Sequence, residues 1–386
     1  MTQVSNDYRV FRRSFRFFAA TFFIILALSS VSGSPAQEAE FDAHEFSFGS
    51  RGDMVVNDGP GLSNYLKPFF QYRYSGPEAP FWSFEAMTAY KQNRAVIKHQ
   101  FHKKWAWYAR GDIEIANDGD SPSVDGKDFN DFEFKAHSYR GLLGMDFKNE
   151  IAGIPLHAQL SSSGRYFQIY KKSDTTLMFT NPKNFFEGTL HLRLDTGPSQ
   201  PSTELADFGF RTTCNVAVFR RTKNNLWGVI GTRKKIDHYG KASLGLRISE
   251  QLWKPVLVVA GVQGSSTIGK TDRLSAIRSG QFAQRDESLF VSSVRALRVI
   301  SGDLGFRFYF EDEGIFAIRP FAYAVAYREL LPTNDQRNDA AFGGGMKLMG
   351  RIQKTIFTDL TYAIGRGNRP DLKNIHQVKY SLLARF

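Results

Sequence analysis

After about residue 40, apolar and polar side chains alternate with a period of two along most of the chain, and helical periodicity is scarce. Successive side chains of a strand point to opposite faces, so such a sequence builds sheet with one greasy and one polar surface. The last segment is the clearest case. Val378, Tyr380, Leu382, Ala384 and Phe386 fall on one face, and Gln377, Lys379, Ser381, Leu383 and Arg385 on the other.

The same pattern recurs upstream. Leu304, Phe306, Phe308 and Phe310 alternate with Gly305, Arg307, Tyr309 and Glu311; Phe186, Leu190, Leu192 and Leu194 alternate with Glu187, His191, Arg193 and Asp195. Trp105, Trp107, Ala109, Ile113 and Ile115 face away from Tyr108, Arg110, Asp112 and Glu114. Aromatics make up 14% of the chain, with 35 Phe and 15 Tyr, yet mean hydropathy is only −0.33. A soluble sandwich also alternates, but it buries its apolar face and needs fewer aromatics. A barrel in lipid turns that face outward and keeps the polar one for its lumen. Trp82, Trp105, Tyr323, Tyr327 and Tyr380 are placed near strand ends, where an aromatic girdle belongs.

The N-terminus reads as a secretory leader over residues 1–36. Arg9 to Arg16 form a basic region, Phe17 to Val31 an apolar run, and Ser34-Pro35-Ala36 a small-residue cleavage site. That run is shorter than the ~20 residues a membrane-crossing helix needs, so strands must do the embedding. Residues 37–386 are then assigned to one all-β, closed antiparallel transmembrane barrel. Sixteen strands are expected, with 14 or 18 as the alternatives, because bacterial single-chain barrels have even counts. Long polar loops are expected at Asn117 to Asp131, Gly197 to Thr203, Ser265 to Glu287, Glu329 to Asp339 and Gly365 to Asn374. Turn residues at Ser301-Gly302-Asp303 mark a break, and Gly343, Gly344 and Gly345 mark a bulge or local opening. Lone Cys214 permits no intramolecular disulfide.

The C-terminal alternation of Val378, Tyr380, Leu382, Ala384 and terminal Phe386 resembles the signal by which Gram-negative outer-membrane proteins address the barrel assembly machinery. That resemblance implies outer-membrane localisation, with the assembly machinery, membrane lipids and lipopolysaccharide as partners. A second resemblance is to the surface-antigen barrel superfamily of BamA, TamA and FhaC, over roughly the C-terminal half. Leu192-Arg193-Leu194-Asp195-Thr196-Gly197 followed by Pro201-Ser202-Thr203 is similar to that family's Asp-Thr-Arg strand and Pro-Thr turn, with Gly197 in place of the Arg. Gly269 to Glu287 resembles its lumen-inserted loop, and Ile277-Arg278-Ser279-Gly280-Gln281-Phe282 its Val-Arg-Gly-Tyr/Phe tip. The resemblance implies a barrel that inserts or translocates other polypeptides or lipids, with Arg278, Gly280 and Phe282 anchoring the loop. Two features depart from it. No acid lies on Val291 to Val294 or Phe321 to Val325 to hold Arg278, and six strands follow the loop if Ile300 to Leu304 is a turn, where the family has five. The periplasmic POTRA domains that usually precede the family's barrel have no counterpart in the sequence.

The polar faces place Arg110, Asp112, Glu114, Arg193, Asp195, Arg211, Arg247, Arg307, Lys347 and Asp359 in the lumen, where they tune what passes or pin an inserted loop. The net charge of +12 suits anionic partners such as lipopolysaccharide phosphates or, equally, a mixed-charge water-filled interior, and nothing points to nucleic acid. The eight histidines stand in no dyad or metal spacing, so neither enzyme chemistry, cofactor nor metal is expected. The alternative function is a passive or weakly selective porin with an open lumen. The position of Arg278, within the wall or out among the surface loops, discriminates the two.

Overall fold

A computed structural model describes residues 44–56, 67–75, 81–89, 92–120, 123–124, 127–128, 134–151, 154–172, 179–180, 183–197, 209–222, 228–229, 236–278, 294–310, 316–331, 335–352, 356–368 and 375–385. The leader, the Pro201-Ser202-Thr203 segment, Gly280, Phe282 and Phe386 lie outside the described residues. Sixteen strands form the wall: β1 His44–Val56, β2 Lys67–Ser75, β3 Phe81–Ala89, β4 Gln92–His102, β5 Trp105–Asp120, β6 Phe134–Ile151, β7 Ile154–Lys172 and β8 Phe185–Thr196. Then follow β9 Gly209–Thr222, β10 His238–Trp253, β11 Val256–Ile268, β12 Arg295–Phe310, β13 Phe316–Leu330, β14 Gln336–Ile352, β15 Ile356–Gly367 and β16 Ile375–Arg385.

Each strand pairs antiparallel with the next, and β1 pairs with β16 from Ser47↔Arg385 to Val56↔His376. The ring is therefore closed, an all-β barrel of sixteen strands. Closure leaves no sheet edge, which is the condition for strands to lie in hydrocarbon. The pair Ile277–Arg278 adds a short extra strand at the start of β12, where β11 has run out. No described helix is long and apolar enough to cross a membrane.

Side-chain placement is inverted relative to a soluble protein. Leu143, Leu190, Val218, Ile300 and Phe342 are each more than half exposed on the outer face, while Asp112, Asp146, Glu187, Arg221, Arg319 and Glu329 are buried inside. Phe186, Leu190 and Leu192 point outward and Glu187 and Asp195 inward; Leu304, Phe306, Phe308 and Phe310 point outward and Arg307 and Tyr309 inward. On β16, Leu382 is exposed and Gln377 buried, as the alternation requires. Trp82 and Trp105 sit on the outer face, but Tyr323 and Tyr327 are buried in the lumen and belong to no girdle.

Several expected breaks are absent. Ser301-Gly302-Asp303 runs through the middle of β12, paired on both sides, so five strands and not six follow the loop. Residues 331–335 alone separate β13 from β14, so most of Glu329 to Asp339 is strand. Strand β5 reaches Asp120, β11 reaches Ile268 and β15 reaches Gly367, each several residues into an expected loop. Gly343, Gly344 and Gly345 make no bulge: they pair in unbroken register with β13 and β15. Their role is space, because a Cβ on Gly343 would stand 2.1 Å from Ile364 O and 2.4 Å from Tyr323 Oη. Polarity punctuates a sequence at turns only where the backbone lacks partners; between two neighbouring strands the ladder overrides it.

Candidate functional site: a segment inserted in the barrel mouth

The connection from β11 to β12 turns into the lumen. Gly269 has φ +84°, the left-handed region that spares glycine a steric penalty, and it ends β11 there. Thr271 to Ile277 follow, every one of them buried. Asp272 builds a local turn: Ser275 N and Oγ donate to Asp272 Oδ1 at 2.7 and 2.6 Å, and Ala276 N donates to Asp272 O at 2.9 Å. Such reciprocal side-chain bonds supply the backbone partners that a segment inside a lumen cannot take from a sheet.

The second carboxylate oxygen of Asp272 faces the wall. Arg221 of β9 donates through Nη1 to Asp272 Oδ2 at 2.8 Å and through Nε to Glu187 Oε2 of β8 at 2.7 Å. Tyr239 of β10 donates its hydroxyl to the same Glu187 oxygen at 2.8 Å. The Arg221 guanidinium also lies over the Phe185 and Tyr239 rings, 5.1 and 4.9 Å from their centroids. Its side chain is 2% exposed, so both carboxylates are needed to offset the loss of water.

The segment is held at a second point. Arg273 donates Nη1 to Leu330 O at the end of β13, at 2.6 Å, and Lys241 Nζ reaches Ala276 O at 3.4 Å. Apolar contacts follow the same division. Leu274 packs with Ala136, Phe167, Ile169 and Phe185 of β6 to β8, while Ile277 packs with Ala296, Val299, Val325 and Tyr327 of β12 and β13. Consecutive residues thus bind walls on different sides of the ring, and the segment bridges the mouth.

Arg221 is also the end of a charged row on the lumen wall. Arg94, Asp112, Arg140, Arg165, Glu187 and Arg221 are successive register partners across β4 to β9. Asp112 accepts from Arg94 Nε at 3.0 Å and Arg110 Nε at 2.7 Å, and Glu114 accepts from Arg165 Nη2 at 2.7 Å. Elsewhere Arg193 pairs with Asp195 at 2.5 Å, Arg319 with Asp303 at 2.8 Å and Lys347 with Asp359 at 3.3 Å. Lys98 pairs with Asp146, Arg211 and Arg247 are register partners, and Arg307 is buried. Of the wall charges picked out by alternation, Asp112, Glu114, Lys347 and Asp359 meet a partner on another strand, whereas Arg110–Asp112 and Arg193–Asp195 pair two residues apart on one strand. Among the described residues no cluster of three metal-ligating side chains occurs.

Of the expected loop the described part, Gly269 to Arg278, enters the lumen and is anchored by Asp272 and Arg273; the Arg278 side chain, Gly280 and Phe282 lie outside what is described. The backbone of Arg278 pairs with Arg295, which puts it at the wall and not among outer loops. The missed signal was Asp-x-x-Ser at Asp272 and Ser275, a capping pattern inside a supposed loop. Its wall partner Arg221 is adjacent in sequence to Arg220, yet the two diverge, Arg220 exposed on the outer face and Arg221 buried inside.

No protein-family model matches the sequence, and no curated protein matches it. Solved structures do share its fold. BamA from Haemophilus ducreyi lacking POTRA domains 1–3 superposes with a TM-score of 0.58 at 9% identity, over 90% of this chain and 71% of that one. CdiB from Escherichia coli gives 0.60 at 10% identity, over 92% and 67%, and CdiB from Acinetobacter baumannii 0.52 at 8%, over 92% and 64%. At these identities the likeness is one of fold: this chain is a closed sixteen-strand antiparallel barrel like those of BamA and CdiB.

Proposed function

We propose that this protein is an outer-membrane barrel whose role is insertion or translocation of polypeptide or lipid, with a lumen that is closed at rest. The observation that carries this reading is the buried segment Thr271 to Ile277, tied to β9 through Asp272 and to β13 through Arg273. A passive pore needs a clear path, and a segment bridging the mouth obstructs one. The five strands after the loop and the fold shared with BamA and CdiB support the same reading. The exposed apolar belt of the outer face supports a place in a bilayer.

The test is single-channel conductance of the refolded barrel in a planar bilayer. Silence or small irregular flickering from protein shown to be folded is the expected result. Large, steady steps would replace this reading with the porin.

A further inference from the structure

The charged row on the lumen wall contains one cation, Arg140, whose neighbouring carboxylates, Asp112 and Glu114, are shared with other arginines. Arg140 of β6 faces Arg165 of β7 as a direct register partner, and Asp112 of β5 is its partner on the other side. Like charges placed directly opposite on a sheet destabilise it. Asp112 is already taken by the Nε groups of Arg94 and Arg110. Arg165 is likewise committed, donating to Glu114 at 2.7 Å and to Ser138 Oγ at 2.8 Å. Two carboxylates therefore serve three guanidinium groups before Arg140 is considered. Arg140 is half-buried on the lumen side, where Arg110 and Arg165 repel it and its attracting carboxylates, Asp112 and Glu114, are already bonded to other arginines.

A cation withdrawn from water without a counter-charge of its own is costly, and here neighbouring cations add to the cost. An oxyanion between Arg140 and Arg165 removes both penalties at once. The guanidinium fork is planar and presents paired N–H donors, a geometry suited to a tetrahedral phosphate with several acceptor oxygens. We propose that Arg140, backed by Arg110 and Arg165, is a lumenal binding site for a phosphate group. The source is either a small phosphate-bearing solute or the headgroup of a phospholipid that enters the lumen. The row of register partners that holds Arg140 and Arg165 continues through Glu187 to Arg221, the wall partner of Asp272. It requires nothing of the translocation reading and is tested without a transport assay.

The experiment is thermal unfolding of the refolded barrel in neutral detergent, titrated with inorganic phosphate against sodium chloride at matched ionic strength. A parallel titration adds phosphatidic acid to the micelles. Saturable stabilisation by phosphate, or by phosphatidic acid, beyond the chloride control is expected, since a ligand of the folded state alone raises Tm. Response to inorganic phosphate identifies the solute class, and response to phosphatidic acid alone identifies the lipid. R140Q removes the charge and is expected to weaken binding at least ~tenfold while leaving the ligand-free Tm unchanged or higher, because the like-charge contact is gone. Should R140Q not fold, R140K, which keeps the charge and loses the fork, is expected to bind several-fold more weakly than wild type. No stabilisation by either ligand beyond chloride, or equal stabilisation of wild type and the Arg140 variant, overturns the site.

Discussion

Arg221 Nη1 and Asp272 Oδ2 meet at 2.8 Å across 51 positions of sequence, one on the barrel wall and the other on the segment inserted in its mouth. Neither side chain is exposed by more than 6%, and the contact is the charged half of a latch whose other half is Arg273 on Leu330 O. Removing one partner of a buried pair leaves the other charged and dry, at a cost of about 3–5 kcal/mol.

Asp272→Ala is expected to release the segment. Glu187 still neutralises Arg221 in that variant, so the loss lies near the lower end, about 3 kcal/mol. That corresponds to a roughly hundredfold rise in the population of the open mouth. Bilayer recordings should show new, longer conductance steps, and cells should leak bulky antibiotics. Unchanged conductance in folded Asp272→Ala would remove the latch from the account.

The two faces of β8 should respond oppositely to the same charge. Leu190 is 56% exposed on the outer face, and its neighbour Thr189 points to the lumen. Leu190→Arg is expected to cost about 2–4 kcal/mol in lipid, the range for arginine near the bilayer midplane. Thr189→Arg meets a polar lumen and should cost far less. Urea titration of the refolded barrels in vesicles measures the difference, and equal costs would argue that this face does not meet lipid.

Glycines on the wall divide into two kinds. A Cβ on Gly345 would stand 2.2 Å from Tyr362 O, backbone that cannot yield, whereas one on Gly141 meets nothing within 4 Å. Gly345→Val is expected to destabilise the β14–β15 pairing by about 3 kcal/mol, the scale of overpacking in a filled interior. Gly141→Ala should be silent. The fraction of protein that migrates as a compact band before boiling reports both.

Asp303→Ala tests the wall away from the mouth. Arg319 is fully buried and donates through Nη2 to Asp303 Oδ2 at 2.8 Å. The variant should lose about 3 kcal/mol in urea unfolding, because a buried cation loses its counter-charge. It should leave conductance unchanged, since the pair does not touch the inserted segment.

The alternation along each strand determined much of this protein. Leu190 and Leu192 outside with Glu187 and Asp195 inside, and Phe306 and Phe308 outside with Arg307 inside, follow from the two-residue period of a strand. Strand identity and the inward and outward faces were legible for that reason, while the even strand count followed from what single-chain barrels require and the inserted loop from the resemblance of Gly269 to Glu287 to a family's loop. The tertiary structure decided what local polarity cannot express. Ser301-Gly302-Asp303 reads as a turn but is strand, because β11 and β13 on either side supply its hydrogen bonds. Arg220 and Arg221 are adjacent in sequence, but the same two-residue period sends one outward and the other to Glu187 and Asp272. Which arginine found an acid, and that Arg140 faced Arg165, depended on the register between strands. Register is a property of pairs of segments, and no single segment carries it.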